Sequence, residues 1–219
     1  EESFGAWHVK GGLGNLTTTV HQRAVDVGVT FHLNSHVASI QTTGNKATGV
    51  VLADGTIVEA DAVIANADAS LVYNKLITGH DRALKKARKN IANADVSVAG
   101  FSLLLGMRKD PEQVLNHHTI HFPENYDAEF DAIFKDGKPV EKPTIYICAP
   151  QDELMSKDEN LEGWFVLVNA PTHGQFDWNN AEFASKYANS IIDHIEARGI
   201  SVRDRLESLT IRTPADLEA

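Results

Sequence analysis

The chain has 219 residues and a formal net charge of −10, with 42% apolar, 23% charged and 7% aromatic residues. These proportions are typical of a globular protein with a real core, so they exclude a disordered or fibrous chain. Because an acidic surface repels phosphates and no apolar run approaches roughly 18 residues, we expect no nucleic-acid binding and no bilayer-spanning segment.

The first predicted elements are a glycine-rich turn and a helix. The run Gly11-Gly12-Leu13-Gly14 is typical of a tight turn. Asn15 is typical of a helix N-cap, and Gly28 is typical of the residue that follows a helix end, here at about Val27. Four apolar residues line one face of this helix: Leu16, Val20, Ala24 and Val27. The helix is therefore amphipathic.

A β-rich block follows the helix. Alternating apolar residues and closing turns predict strands at residues 29–33, 37–41, 47–52 and 56–59, with turns at Gly44-Asn45 and Asp54-Gly55. Residues 62–65 are apolar without alternation, which is typical of a strand buried on both faces. We expect that segment to be exposed on at least one side unless another chain covers it.

The next elements are helices and one long strand. Asp68 reads as the N-cap of a helix over residues 69–77, and a second helix over 82–89 carries five basic side chains. A solvated face is the ordinary interpretation of that basic helix, and contact with anionic lipid headgroups is the alternative. The strand at 96–107 places Phe101, Leu103 and Leu105 on one face and Ser102 and Leu104 on the other.

The last part of the chain alternates strands and helices. Strands are predicted at 119–122, 144–149, 164–170 and 209–212, and a helix at about 180–198. The aromatic residues Tyr126, Phe130 and Phe134 recur every four residues, which predicts a helix whose stripe packs into a core. The element order favours an α+β fold, with a mixed β-sheet that has helices on one side, plus a β-meander.

The candidate sites are weak when each is taken alone. The turn at Gly11 to Gly14 opens a helix and could cradle phosphate, but it lacks the nucleotide fingerprints, so a plain tight turn is the favoured interpretation. His117 and His121 would share one face of a strand about 13 Å apart, too far for one metal ion, so we expect no metal site. Cys148 lies in an apolar run and reads as a buried, inert thiol.

No nucleophile, metal set or acid–base pair in the sequence supports catalysis by side chains alone. There is no G-x-S-x-G motif, and no spacing orders a triad. If the chain belongs to an enzyme, we expect a cofactor to supply the chemistry.

An ordered set of motifs resembles the carotenoid desaturases of bacterial and fungal type, the phytoene and diapophytoene (dehydrosqualene) desaturases. The matching segments, in chain order, are Lys10-Gly11-Gly12, Leu33-Asn34 with Val37, Thr43-Gly44-Asn45-Lys46, Asp54-Gly55, Asn66-Ala67-Asp68, residues 120–134, residues 143–150, Asp177-Trp178 and Thr213-Pro214-x-Asp216. Each motif is unspecific, and their order and spacing carry the resemblance. Residues 151–163 depart from it, because they are more polar than the loop usual in the family.

The resemblance implies an FAD-dependent, membrane-associated oxidoreductase that desaturates phytoene or diapophytoene by hydride transfer to flavin. The two glycine-rich FAD motifs of that family are missing from this sequence. We therefore expect an internal fragment that is inactive alone and binds no FAD itself. The start at Glu1-Glu2-Ser3-Phe4, without methionine or leader, and the loop-like end at 213–219 permit this expectation.

The resemblance also implies a division of the chain and a set of contacts. Residues 1–69 would be part of a flavin domain like that of glutathione reductase, 70–205 a substrate domain, and 206–219 a return segment. Val37 matches the position whose backbone meets adenine. The expected substrate contacts are Phe101, Leu103, Leu105, Phe122 and Tyr146; packing under helices is the alternative.

The implied partners are a long apolar polyene and a membrane surface, in a cytoplasmic, peripherally membrane-associated protein. The catalytic residues are not identified by the sequence. Two other interpretations stay open: an apolar-ligand or lipid-surface binding module without catalysis, and another oxidoreductase of the flavin amine oxidase type.

Overall fold

The structure is a computed structural model that describes residue 5 and residues 7–44, 46–79 and 82–218. The start at residues 1–4, Asn45 of the predicted turn and the last residue, Ala219, lie outside the described residues. Within the described part, residues up to 23 form one compact unit with 96–218, and residues 24–95 form a second unit. These units differ from the predicted boundaries at 69 and 205, and the assignment of segments to cofactor and substrate stays a prediction.

The second unit contains the predicted meander. Its strands are β1 (Val37–Thr43), β2 (Lys46–Leu52) and β3 (Ile57–Glu59), paired antiparallel in that order. The turn between β2 and β3 forms at Asp54-Gly55, where Gly55 has a φ of 87° and the Thr56 N–H donates to the Asp54 carboxylate at 2.9 Å. The Asp-Gly pair therefore forms the turn that the sequence predicted.

Two helical segments complete the second unit. Helix α2 (Ala69–Leu71) begins after Asp68, whose carboxylate accepts from the Ser70 N–H at 2.7 Å, and continues as π-helical turns over Val72–Leu76. Helix α3 (Arg82–Ala92) buries Leu84. Arg88 is not part of a free basic face, because its guanidinium donates to the carbonyl oxygens of Tyr73, Ile77 and Gly79.

Two predicted strands of this unit are wrong. Residues 29–33 and 62–65 have no strand structure, and the side chain of Ile64 is 95% exposed. An apolar strand is stable only when neighbours satisfy its backbone and cover its faces. No described strand lies beside either segment, since the sheet of this unit contains only β1, β2 and β3. The expected exposure of residues 62–65 is confirmed.

Helix α1 (Leu13–Asp26) begins two residues before the predicted N-cap. Asn15 lies inside the helix, and its amide donates back to the Lys10 carbonyl at 2.9 Å. Gly28, with a φ of 92°, follows the helix as predicted. None of the residues of α1 is buried, so its predicted apolar face is exposed within the described part of the chain.

The first unit is built on a five-stranded sheet. Its strands are β4 (Ala99–Arg108), β5 (His118–His121), β6 (Ile145–Cys148), β7 (Leu161–Ala170) and β8 (Leu206–Arg212). Its helices are α4 (Asp127–Phe130), which continues as π-helical turns over Asp131–Lys135, α5 (Ala181–Glu196), a 3₁₀ turn over Arg203–Arg205, and α6 (Pro214–Glu218). The strand order is β5-β6-β7-β4-β8.

The α+β class is confirmed, but the described strands do not show the expected mixture of directions, and a parallel pairing is seen in the isolated bridge between Ile40 and Ile77. Every ladder between the described strands of the two sheets is antiparallel. Strands β7 and β8 run in the same direction, yet β4 lies between them and is antiparallel to both. The chain returns from β7 through α5 to the far side of β4, so no parallel pair forms.

Helix α5 covers one face of the five-stranded sheet. Asn180 caps it by accepting from the Phe183 N–H at 3.0 Å, and its apolar side contributes Tyr187, Ile191 and Ile195 to the core. The sheet contributes every second residue: Phe101, Leu103, Leu105, Met107, Ile145, Ile147, Trp164, Val166, Val168 and Ala170. Burial of these side chains is the main stabilising term of the unit.

A buried arginine joins three strands at one end of this sheet. The Arg205 guanidinium donates to the Arg108 carbonyl at 2.8 Å, the Gln113 side chain at 3.1 Å and the Glu162 carboxylate at 2.5 Å. It also lies over the Trp164 ring, 5.2 Å from its centroid. The Arg205 side chain is only 8% exposed, so these partners, in place of water, stabilise its positive charge.

We predict that Arg205→Ala lowers the free energy of unfolding of the first unit by about 2 kcal/mol. The Glu162 carboxylate, the Arg108 carbonyl and the Gln113 side chain would lose their hydrogen-bond donor where little water can replace it. All three tryptophans, Trp7, Trp164 and Trp178, belong to this unit, so tryptophan fluorescence during urea unfolding measures it alone.

Arg203→Ala is the control for this measurement. Arg203 binds Asp193 and Glu196 at the surface and its side chain is 40% exposed, so its removal should cost less than about 1 kcal/mol. Equal effects of the two substitutions would contradict the role given to Arg205.

Candidate functional site

The face of the five-stranded sheet opposite α5 carries an apolar row. Because residues paired in an antiparallel ladder share a face, Ile120, Tyr146, Leu167 and Ser102 lie side by side across four strands. The neighbouring row contains His118, Cys148, Phe165 and Leu104. The side chains of Ile120, Leu104 and Phe165 are 51%, 42% and 36% exposed, so much of this face is open to solvent. We call it the open face.

A pocket of about 650 Å³ adjoins the open face at the β5–β6 edge. One wall is formed by residues of these strands and the segments that flank them, and the other by the segment before α1. The lining residues include Trp7, His8, Gly12, His117, His118, Tyr146, Cys148 and Met155. Apolar walls with a few polar groups are typical of sites for small organic ligands.

The polar groups of this pocket form a connected cluster. His118 Nδ1 and the Tyr146 hydroxyl are 2.8 Å apart, and the rings of His117 and His118 lie 4.4 Å apart between centroids. The His8 ring lies 4.7 Å from that of His117. Burial, then a hydrogen bond with Cys148, raises the pKa of Tyr146, which stays a neutral hydroxyl. Burial, then the neighbouring His118 and His8, lowers the pKa of His117 and favours its neutral imidazole.

Asp152 fastens the loop after β6 to the segment before α1. Its carboxylate accepts from the Gly11 N–H at 2.5 Å, from the Leu154 N–H at 2.9 Å, and lies 2.8 Å from His8 Nε2. The Gly11 N–H bond, then the His8 contact, lowers the pKa of Asp152 to about 2. The carboxylate is therefore ionised at neutral pH. Two segments separated by more than 130 residues meet at the pocket because of this group.

The glycine turn holds a carboxylate of this chain. Gly11 and Gly12 have φ values of 79° and 87°, which side-chain-bearing residues rarely adopt. A Cβ on Gly11 would also collide with the Asn15 amide. Because the Gly11 N–H is donated to Asp152, the structure supports the tight turn that the sequence favoured over a phosphate cradle.

The predicted substrate contacts separate into two groups. Phe101, Leu103 and Leu105 are at most 2% exposed and pack in the core with α5, the alternative that the sequence left open. Tyr146 lies on the open face and lines the pocket. Phe122 is exposed just after β5, with its ring 5.5 Å from that of Tyr126. A role of these residues in substrate binding stays a prediction.

Sequence reasoning missed Leu104 and Phe165 on the open face. Alternation along β4 had already separated Leu104 from Leu103 and Leu105, but it could not tell which face a helix covers. Val37, the predicted cofactor contact, begins β1 at the edge of its sheet and is half-buried. The outer edge of β1 is partly paired, since Ile40 forms an isolated bridge with Ile77. A contact of Val37 with a cofactor stays a prediction.

Three groups of the pocket could bind a metal ion. Donor atoms of His117, His118 and Cys148 lie within 4.8 Å of one another. His121, which the sequence placed too far from His117 to share a metal ion, lies opposite Ile145 of the core. Its Nε2 is buried without a hydrogen-bond partner among the described residues, and burial lowers its pKa.

Comparison with known proteins gives a consistent result. The sequence model of the family described as "flavin containing amine oxidoreductase" matches residues 1–125. A zeta-carotene-forming phytoene desaturase of Myxococcus xanthus is 35% identical over 180 residues, which cover 81% of this chain and 34% of that protein. A 1-hydroxycarotenoid 3,4-desaturase of Flavobacterium sp. (strain P99-3) is 31% identical over 227 residues, which cover 100% of this chain and 43% of that protein.

A lycopene-forming phytoene desaturase of Paracoccus sp. (strain N81106 / MBIC 01143) is 33% identical over 219 residues, covering 99% of this chain and 43% of that protein. The chain thus spans less than half the length of the curated relatives it matches. Among the described residues, none of the helices combines the length and apolar character that crossing a bilayer requires.

The Asp152 contacts predict a stability change at low pH. The folded-state pKa lies below the ordinary value of 3.8, so the carboxylate stabilises the fold above about pH 4, and this contribution is lost as pH falls towards 2. Asp152→Asn should lower the urea midpoint of the first unit at pH 5, and the difference from the unchanged chain should shrink towards zero at pH 2.

Glu153→Gln is the matched control, since it also removes one carboxylate from the same exposed loop. A difference between Asp152→Asn and the unchanged chain that does not depend on pH would contradict this assignment.

Proposed function

Because the chain belongs to the flavin containing amine oxidoreductase family, we propose that it forms part of an FAD-dependent desaturase acting on a carotenoid precursor, phytoene or diapophytoene. The observation that carries the proposal is the open face, an apolar surface bordered by a pocket. The names of its relatives support a polyene as the substrate class.

The shape of the open face suits an extended apolar ligand. A row that crosses five strands is about 19 Å long, because strands are spaced by about 4.8 Å. Leu104, Phe165, Leu167 and Ile120 offer aliphatic and aromatic contacts along it and carry no charge. A long polyene buried there would gain hydrophobic free energy and would be held straight.

In the proposed enzyme, flavin supplies the hydride acceptor that side chains cannot provide. This chain would exclude water from the polyene and orient it along the open face. Val37 would offer backbone groups to the adenine at the edge of β1. The sequence contains neither of the two glycine-rich FAD motifs of the family, so we propose that FAD is held mainly by the remainder of a longer protein.

The assignment of segments follows from this proposal. Residues 70–205 would supply the substrate surface, residues 1–69 part of the flavin domain, and residues 206–219 the return to it. The five-stranded sheet supports the first part, because four of its five strands fall within 70–205. The remaining strand, β8, begins the return segment and pairs with β4.

We also propose that the protein is cytoplasmic and contacts a membrane peripherally. This contact would let an insoluble polyene pass from the bilayer to the open face. The specific observation is an aromatic ladder made of Phe122, Tyr126, Phe130 and Phe134, in which successive rings lie 5.5, 5.1 and 6.4 Å apart. The sequence predicted core packing for the stripe Tyr126, Phe130 and Phe134, but Tyr126 and Phe134 are exposed, as is Phe122. Exposed aromatic residues of this kind favour the membrane interface.

Helix α3 supports the same proposal independently. Arg82, Lys85, Lys86 and Lys89 are exposed, whereas Arg88 binds carbonyl groups of its own unit. Four exposed cations would attract anionic headgroups by about 1 kcal/mol each near the surface. If catalysis is absent, the open face, the aromatic ladder and the basic side chains of α3 would suit an apolar-ligand or lipid-surface binding module.

The substrate surface is tested in the longer protein that we propose contains this chain. We predict that Leu104→Gln lowers kcat/KM for phytoene or diapophytoene about tenfold, because a polar amide replaces apolar contact worth roughly 1.4 kcal/mol. The absorbance of newly conjugated product measures the rate. Ile57→Gln, at an exposed apolar residue of the other sheet, should leave the rate unchanged.

The possible failures of this experiment are distinguishable. Absence of added conjugation with either precursor in the unchanged protein would overturn the proposed reaction. A normal rate in Leu104→Gln would overturn only the location of the substrate on the open face.

Membrane contact is tested with the chain itself by flotation with phosphatidylcholine vesicles that contain phosphatidylserine. The double substitution Tyr126→Ser with Phe134→Ser should reduce recovery in the lipid fraction several-fold, because two exposed rings are lost from the aromatic ladder. Val114→Ser is the control, at an exposed apolar residue outside the ladder. Equal recovery of the double variant and the unchanged chain would contradict this contact.

A further inference from the structure

The strand register places a thiol beside an imidazole on the open face. His118 and Cys148 are direct partners in the antiparallel ladder between β5 and β6. Directly opposite residues in such a ladder have Cβ atoms about 5 Å apart and point to the same side. The proximity of these two groups therefore follows from the sheet and does not depend on a flexible loop.

A second imidazole points to the same place. His117 precedes β5, and its carbonyl accepts from the Ala149 N–H at 2.9 Å, which fixes its backbone next to the end of β6. The donor atoms of His117, His118 and Cys148 lie within 4.8 Å of one another. His118 is exposed, and all three residues line the pocket, so a dissolved ion can reach them.

We propose that His117, His118 and Cys148 form a binding site for a borderline-soft divalent cation such as Zn²⁺, with a fourth position open to the pocket. One thiolate and two imidazoles are a donor set that suits zinc and cobalt and disfavours magnesium and calcium, which prefer oxygen. The site does not depend on the proposed desaturation, because it uses neither flavin nor polyene.

Binding requires a small contraction and releases one proton. Bond lengths of about 2.0 Å to nitrogen and 2.3 Å to sulfur put tetrahedral donors roughly 3.5 Å apart, so the present spacing must close by about 1 Å. Side-chain rotation of His117 and His118 can supply this movement. The Cys148 thiol loses its proton to solvent as its sulfur bonds to the cation, and both imidazoles bind in their neutral forms.

The surrounding groups position the donors. The Tyr146 hydroxyl, 2.8 Å from His118 Nδ1, holds that ring in place on the open face. The His8 ring packs against His117 and is itself held by Asp152 at 2.8 Å. A cation held by β5 and β6 would thus lie beneath the segment before α1 and narrow the pocket.

The test uses the whole chain, freed of metal by a chelator and titrated with Co²⁺. We expect one equivalent to bind, with a thiolate-to-cobalt charge-transfer absorption in the near ultraviolet that Zn²⁺ abolishes by competition. Cys148→Ser should remove this absorption and weaken Zn²⁺ binding at least tenfold, and His118→Gln should weaken it similarly. His36→Gln, an exposed histidine of the other unit, is the matched control.

Two further measurements keep the result interpretable. The urea midpoint from tryptophan fluorescence establishes that each variant is folded, and Tyr146→Phe should retain the charge-transfer absorption because it leaves all three donors. No thiolate absorption in the unchanged chain at millimolar Co²⁺, or unchanged Zn²⁺ affinity in folded Cys148→Ser, would overturn the proposal.

Discussion

The alternation of side chains along the central strand β4 is the constraint on which the first unit depends. Phe101, Leu103, Leu105 and Met107 point to one side of the sheet and are covered by α5. Ser102 and Leu104 must then point to the other side, because successive side chains of a strand alternate. One face of the sheet is therefore a stabilising core, and the other is available for binding. Any shift of register by one residue would exchange these two roles.

The pocket is formed where distant parts of the chain meet on that second face. The segment before α1 reaches the β5–β6 edge and is fixed there by the Asp152 carboxylate, which binds Gly11 and His8. A positive φ at Gly11 aims its N–H at this carboxylate. The glycine-rich turn thus has a structural role in this chain, and its effect on function is to form one wall of the pocket.

In the proposed function flavin supplies the chemistry, which agrees with the absence of a G-x-S-x-G motif and of triad spacing from the sequence. A reaction in which flavin accepts a hydride needs an apolar, water-free surface that orients the substrate, more than it needs a nucleophile. In the proposed function the open face would supply such a surface, and the second unit contains the β-meander that the element order predicted. The chain spans less than half the length of its curated relatives, and the reaction is therefore a proposal for the whole protein.

The sequence by itself determined the local elements and the family. Period-two and period-four patterns, the cap Asp68 and the Asp54-Gly55 turn define helices and strands through contacts within a few residues, so the sequence alone predicts them. Only the tertiary structure decided which face of β4 is covered, that residues 29–33 and 62–65 lack strand partners, and that the aromatic ladder is exposed. It also brought His117, His118 and Cys148 together, because the pairing of β5 with β6 depends on cross-strand register, which no local spacing encodes.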